Sequence, residues 1–133
     1  MVIQRESVQG GEAMVQGTIT DERSLNKIFR LLADEQRRYV LYYLHELEGS
    51  AELEDIAVQV SAWQGEKPIS DVTDDECQLT ATRLRNIDLP RLADVGVVEY
   101  DSRTEMARFR EPGKLLGLFL LLAARIERPL INE

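Results

Sequence analysis

Five polar side chains, Gln78, Thr82, Arg83, Arg85 and Asn86, fall within nine residues of one helix-compatible stretch. Cys77, Ala81, Leu84 and Ile87 recur at offsets of four, three and three and predict the buried stripe of that helix, capped by Asp74. Gln78, Thr82, Arg85 and Asn86 then lie opposite the stripe, with Arg83 at its flank. These residue types read base edges: arginine pairs with guanine and asparagine with adenine across the major groove of a duplex. Arg91, Arg103, Arg108 and Arg110 follow and could hold phosphates. The plain alternative is a set of solvated arginines on a helical face.

Charge distribution favours contact with nucleic acid. The 133 residues carry 24 acids and 16 bases, a net −8, and three lysines (Lys27, Lys67, Lys114) stand against thirteen arginines. Residues 46–76 hold ten acids and one lysine, whereas residues 78–110 hold six arginines and five acids. The acidity spares the one stretch that carries base-reading side chains. Abundant acid with little lysine also suits concentrated salt, because the Debye length near 1 M is about 3 Å and carboxylates there repel one another weakly. The same screening poses a difficulty, since counterion release drives most non-specific affinity for DNA and fades as salt rises.

Other chemistry finds no support. The chain has no glycine-rich phosphate loop, no His-Glu-x-x-His pair and no nucleophile with a nearby base, so no catalytic residue, cofactor or metal site is expected and the protein is not read as an enzyme. Cys77, the single cysteine, is expected to be a small buried residue; a redox role would need its position near a helix start to lower the thiol pKa. His45, the single histidine, is read as structural, and Trp63 as the edge of the core. The longest apolar run, Leu115 to Ala124, is ten residues, half of what a bilayer span needs. No membrane partner is expected, and the single cysteine fits the cytoplasm.

The elements that position these residues are legible in part. Residues 1–20 lack periodicity and read as a flexible N-terminal arm, with order beginning at Asp21 or Ser24. Leu25, Ile28, Phe29 and Leu32 give a first helix its apolar face. Asp34 caps a second, with Val40, Leu41 and Leu44 inward and Gly49 at a left-handed C-terminal position. A third runs from Glu52 to Gln64 with Leu53, Ile56, Ala57 and Val60 inward. The fourth, about 74–88, meets a proline-marked step at Leu89-Pro90, and a short helix ends at Gly96. The period then switches to two over 97–110, predicting a β-hairpin whose turn lies between Tyr100 and Met106. Helix, break, short helix and hairpin follow the order of the recognition half of a winged helix.

A last helix, Lys114 to Arg128, is apolar nearly all round, which no monomer surface accommodates. Leu115, Leu118, Phe119, Leu122 and Ile126 are therefore expected to face a second copy in a homodimer.

Residues 32–44, LADEQRRYVLYYL, resemble the opening of ArsR-type winged-helix regulators. Residues 84–101, LRNIDLPRLADVGVVEYD, are similar to the second half of a haloarchaeal winged-helix family, which typically reads LhHvHLPKLAdaGvVeYD. The resemblance spans residues 25–110 and implies a winged-helix fold, a transcription-regulator class and a haloarchaeal source. Asn86 and Asp88 replace that pattern's two histidines. The cysteine motif of ArsR-type metal sensors is missing from Leu53-Glu54-Asp55-Ile56-Ala57, so metal sensing does not carry over.

The expectation is a mainly α winged helix-turn-helix domain (21–111) with a small β-hairpin wing and an added C-terminal dimerisation helix and tail (112–133). It would be a cytoplasmic homodimer that binds double-stranded DNA, its effector unknown. The rival reading is a protein-interaction module of the same fold without DNA binding.

Overall fold

The computed structural model describes residues 25–110 and 113–131, with the side chains of the last helix given through Glu127. The expected N-terminal arm and the two candidate starts at Asp21 and Ser24 lie outside the described residues. The described chain is mainly helical, with one small antiparallel sheet.

Helix α1 (Leu25–Leu32) leads into α2 (Glu35–Leu47) through Asp34, whose carboxylate accepts the Arg37 backbone N–H at 3.1 Å, as expected of the cap. The carbonyls left open at the end of α1 are taken by the first turn of α2. Arg37 donates to Arg30 O at 2.8 Å and Leu31 O at 3.0 Å, and Arg38 donates to Leu32 O. Cations suit that position because the helix C-terminus carries the negative end of the dipole. Leu31 is buried beside Ile28, while Phe29 points outward against the Phe119 ring, which corrects its assignment to the inner face. Glu48, not Gly49, takes the left-handed conformation after α2 (φ 55°).

Strand β1 (Ser50–Glu52) was not expected, because three residues carry no alternation to read. It pairs with β3 (Met106–Phe109), which pairs in turn with β2 (Val98–Asp101), giving the order β1-β3-β2. Ala51 and Tyr100 flank Ala107 in that register, and both alanines are buried. The hairpin and its turn fall where period two placed them.

Helix α3 (Leu53–Gly65) buries Leu53, Ile56, Ala57 and Val60 completely, as its spacing predicts. After a single 3₁₀ turn (Ile69–Asp71), α4 (Asp74–Arg83) begins at Thr73 rather than Asp74. Thr73 and Glu76 form a reciprocal capping box, the threonine hydroxyl accepting Glu76 N–H and the Glu76 carboxylate accepting Thr73 N–H. Asp74 and Asp75 remain near the positive end of the helix.

The step at Pro90 is not a break. A π-helical segment (Leu84–Asp88) joins α4 to α5 (Leu89–Asp94), with Leu89 N–H bonded back to Leu84 O. Proline lacks an N–H and its ring clashes with the carbonyl four residues earlier; an i→i+5 pattern moves that carbonyl away and lets the helix continue. Widening also moves the inward positions: Asp88 is 0 % exposed, and Ile87, expected in the core, is exposed. Gly96 (φ 84°) ends α5, and Gly96 and Val97 N–H close back onto Ala93 and Leu92 carbonyls.

Helix α6 (Lys114–Ile131) packs Leu116, Leu120 and Ala124 onto the core and continues past Arg128. Arg38 grips Glu127 through two bonds of 2.9 and 2.8 Å, and Tyr42 donates to the same carboxylate at 2.6 Å. That clamp fixes the rotation of α6 about its own axis.

Candidate nucleic-acid interface

Helix α4 lies on α3, joined across the contact by the buried hydrogen bond from Ser61 Oγ to Thr80 Oγ1 at 2.8 Å. With Thr80, Ala81 and Leu84 turned inward, Gln78, Leu79, Thr82 and Asn86 are exposed on the outer side. Gln78, Thr82, Asn86 and Arg91 have no side-chain hydrogen bond or ion pair among the described residues. Leu79, 76 % exposed, was not singled out in the sequence; its position one residue beyond Gln78 was the available signal. An exposed leucine between polar groups can meet a thymine methyl or a protein partner equally well.

The arginines divide into two sets. Arg83 is drawn back toward α2, donating to Asp34 at 2.6 Å and standing 3.4 Å from buried Asp88. Its position is better explained by holding α4 to α2 than by reading a base. Arg85 is half-exposed and grips Glu105 in the hairpin turn at 2.6 Å, tying the π segment to the hairpin. Arg108 and Arg110 reach Glu99 at 3.3 and 3.9 Å. Only the backbone N–H of Arg103 is engaged, by Asp101, leaving its exposed guanidinium outward. Of the eight residues expected at the interface, five (Gln78, Thr82, Asn86, Arg91, Arg103) present unengaged side chains; Arg83, Arg85 and Arg108 are held by carboxylates. The first turn of α4 adds Asp74, Asp75 and Glu76, the last neutralised by Lys67 at 2.7 Å.

Beneath this face lies a buried polar joint. Asp88 accepts one hydrogen bond, from Gln36 Nε2 at 2.8 Å; Arg37, itself buried, stands 3.6 Å from its other oxygen. Burial raises the Asp88 pKa, with Arg83 opposing that shift. Cys77 is half-buried against the core, and burial followed by the charges of Glu54 and Asp74 pushes its thiol up, away from the reactive thiolate. That runs against the redox reading. Trp63 packs edge-on to Tyr39 and Tyr43 at the core margin, and His45 stacks edge-on against Phe109 at 5.2 Å.

On α6, Leu118, Leu121, Leu122 and Ile126 are exposed, the last by 69 %, and Phe29 adjoins them through its edge contact with Phe119 at 5.3 Å. Leu115 and Phe119 are half-buried at the margin. A contiguous apolar face of this kind exceeds what a soluble monomer usually leaves in water. Among the described residues, no helix is long and apolar enough to cross a membrane, and no three His, Cys, Asp or Glu side chains converge to hold a metal.

No curated protein matches the chain, and no solved structure matches it. The segment from α1 to β3 is the part with known kin: residues 29–108 match the model of DUF7344, a domain of unknown function, and the chain belongs to that family.

Proposed function

We propose that this protein is a homodimeric winged helix-turn-helix regulator of transcription that binds double-stranded DNA in a salt-rich cytoplasm, in the manner of its ArsR-like haloarchaeal resemblance. In this reading α3 supports α4, α4 enters the major groove, and the β2–β3 hairpin is the wing beside it. The observation that carries the reading is the outward strip Gln78-Thr82-Asn86, polar and unengaged among the described residues, on a helix braced from behind by Ser61–Thr80. Arg91 and Arg103 flank the strip and serve as phosphate contacts.

The exposed face of α6 supports the dimer. Leu116, Leu120, Ala124 and the Arg38–Glu127–Tyr42 clamp occupy the other side of the helix, so Leu118, Leu122 and Ile126 cannot rotate inward. A leucine face lacks directional groups and is complementary to itself across a two-fold axis. Such an axis would set two α4 helices for paired half-sites.

The rival module keeps one observation in its favour: the start of α4 is acidic and several neighbouring arginines are already paired. Titration of labelled genomic fragments in molar KCl separates the two. Asn86→Ala is expected to relax specificity by about 1–3 kcal/mol at one base position, and Arg103→Ala to weaken all sequences alike. Retention of no fragment by the parent protein would favour the interaction module.

A further inference from the structure

We propose that Glu105 and Glu99 are internal stand-ins for DNA phosphate, holding the arginines beside the recognition helix until a duplex displaces them. The inference rests on the DNA-binding reading and concerns how that same face is regulated by salt.

Three observations lead to it. Arg85, Arg108 and Arg110 would be the arginines on the strand-facing side of the hairpin and π segment, and each is already matched to a carboxylate: Arg85 to Glu105 at 2.6 Å, Arg108 and Arg110 to Glu99 at 3.3 and 3.9 Å. All five side chains remain between a third and three-fifths exposed, so an incoming anion can reach them. Finally, Glu105 occupies a left-handed backbone position (φ 62°), where glycine or asparagine is the usual choice. Its backbone is fixed on both sides, N–H to Asp101 O at 2.7 Å and O from Leu53 N–H at 2.9 Å. A carboxylate is thus kept at a strained position that aims it at Arg85.

The consequence is electrostatic. An arginine paired to phosphate in water normally releases the counterions condensed there, which makes affinity fall with salt. When the arginine must first leave a carboxylate, that carboxylate recovers a cation from solution, and the net release at the contact approaches zero. Exposed pairs of this kind are weak and screened by salt, so the exchange becomes easier as KCl rises. Binding by this face then tolerates the ionic strength that abolishes ordinary non-specific contacts.

The test compares the full chain with Glu105→Gln, Glu99→Gln and Glu105→Gly on one retained DNA fragment, from 0.2 to 3 M KCl, with thermal melts to verify folding. Glu105→Gly serves as the second variant because it removes the carboxylate while relieving the backbone. Each variant is expected to bind several-fold more tightly at the lowest salt, and its plot of log K against log [KCl] to steepen by roughly one per arginine released. Asp55→Asn, an exposed acid on α3, controls for net charge and should change neither. If the parent binds DNA and the Glu105 variants show its affinity and slope, the stand-in proposal is overturned and the DNA-binding reading survives. If Asp55→Asn reproduces their effect, general charge and not this contact is responsible, and the proposal is likewise overturned. If no variant and no parent binds DNA, both fail together.

Discussion

Arg37→Ala attacks the joint between α1, α2 and the π segment, and its cost can be worked from the contacts. The side chain is buried and supplies two hydrogen bonds to the end of α1, at 2.8 and 3.0 Å, with a third contact at 3.6 Å to Asp88, which has no access to solvent. Truncation strips two carbonyls of charged donors and leaves a buried carboxylate with less compensation. Removing one partner of a buried charged network costs about 3–5 kcal/mol. Urea unfolding should register that loss with an unchanged m-value. Adding Asp88→Asn should restore about 1–2 kcal/mol, because the amide oxygen still accepts from Gln36 and the stranded charge is gone. The pH dependence has a definite sign. Burial raises the Asp88 pKa in the folded state, so this group favours folding most when protonated and progressively less as pH climbs from its unfolded value through its folded one. The deficit of Arg37→Ala should therefore narrow toward acid. A loss under 1 kcal/mol, or a double variant less stable than the sum of the singles, would refute the argument that these charges act as one unit.

Three further outcomes follow from separate parts of the molecule. Thr73→Ala should cost about 1 kcal/mol through loss of the capping box, whereas Asp74→Ala should cost much less; equal losses would return the cap to Asp74. Glu127→Gln should destabilise by about 1–2 kcal/mol at neutral pH. Because the Arg38 hydrogen bond holds the Glu127 pKa below the usual carboxylate value, that difference should be present above pH 4.5 and disappear as pH falls through the lowered value. Leu122→Glu should give monomers by light scattering with little change in monomer folding, since Leu122 is exposed on the outer face of α6; a parent protein that is already monomeric would remove the dimer.

How much of this could be read from the residues depended on whether one periodicity ruled the segment. Val40, Leu41 and Leu44, and Leu53, Ile56, Ala57 and Val60, repeat at helical spacing within uninterrupted helices, and all seven are fully buried. Ile87 failed because the period itself changed: the π segment that accommodates Pro90 turns Asp88 inward in its place. The start of α4 had two capping candidates side by side, and the pair Thr73 and Glu76, three residues apart, was the deciding signal. On α6 the wholly apolar character was legible, but which leucines faced outward required the Glu127 clamp, eighty-nine residues from Arg38 in sequence. The same limit applies at the candidate site. Helical spacing located Gln78, Thr82 and Asn86 on the outer side, yet the engagement of Arg85 by Glu105 and of Arg83 by Asp34 is tertiary and leaves no local pattern.

The most direct measurement places a photo-crosslinking side chain at position 82, on the outer strip of α4, and a second at position 55, on the acidic start of α3, then irradiates each with bound genomic duplex in molar KCl. Covalent attachment of DNA from position 82 and its absence from position 55 is the predicted result. Attachment from position 55 alone, or from neither in a protein that retains the duplex, would contradict the placement of α4 against DNA.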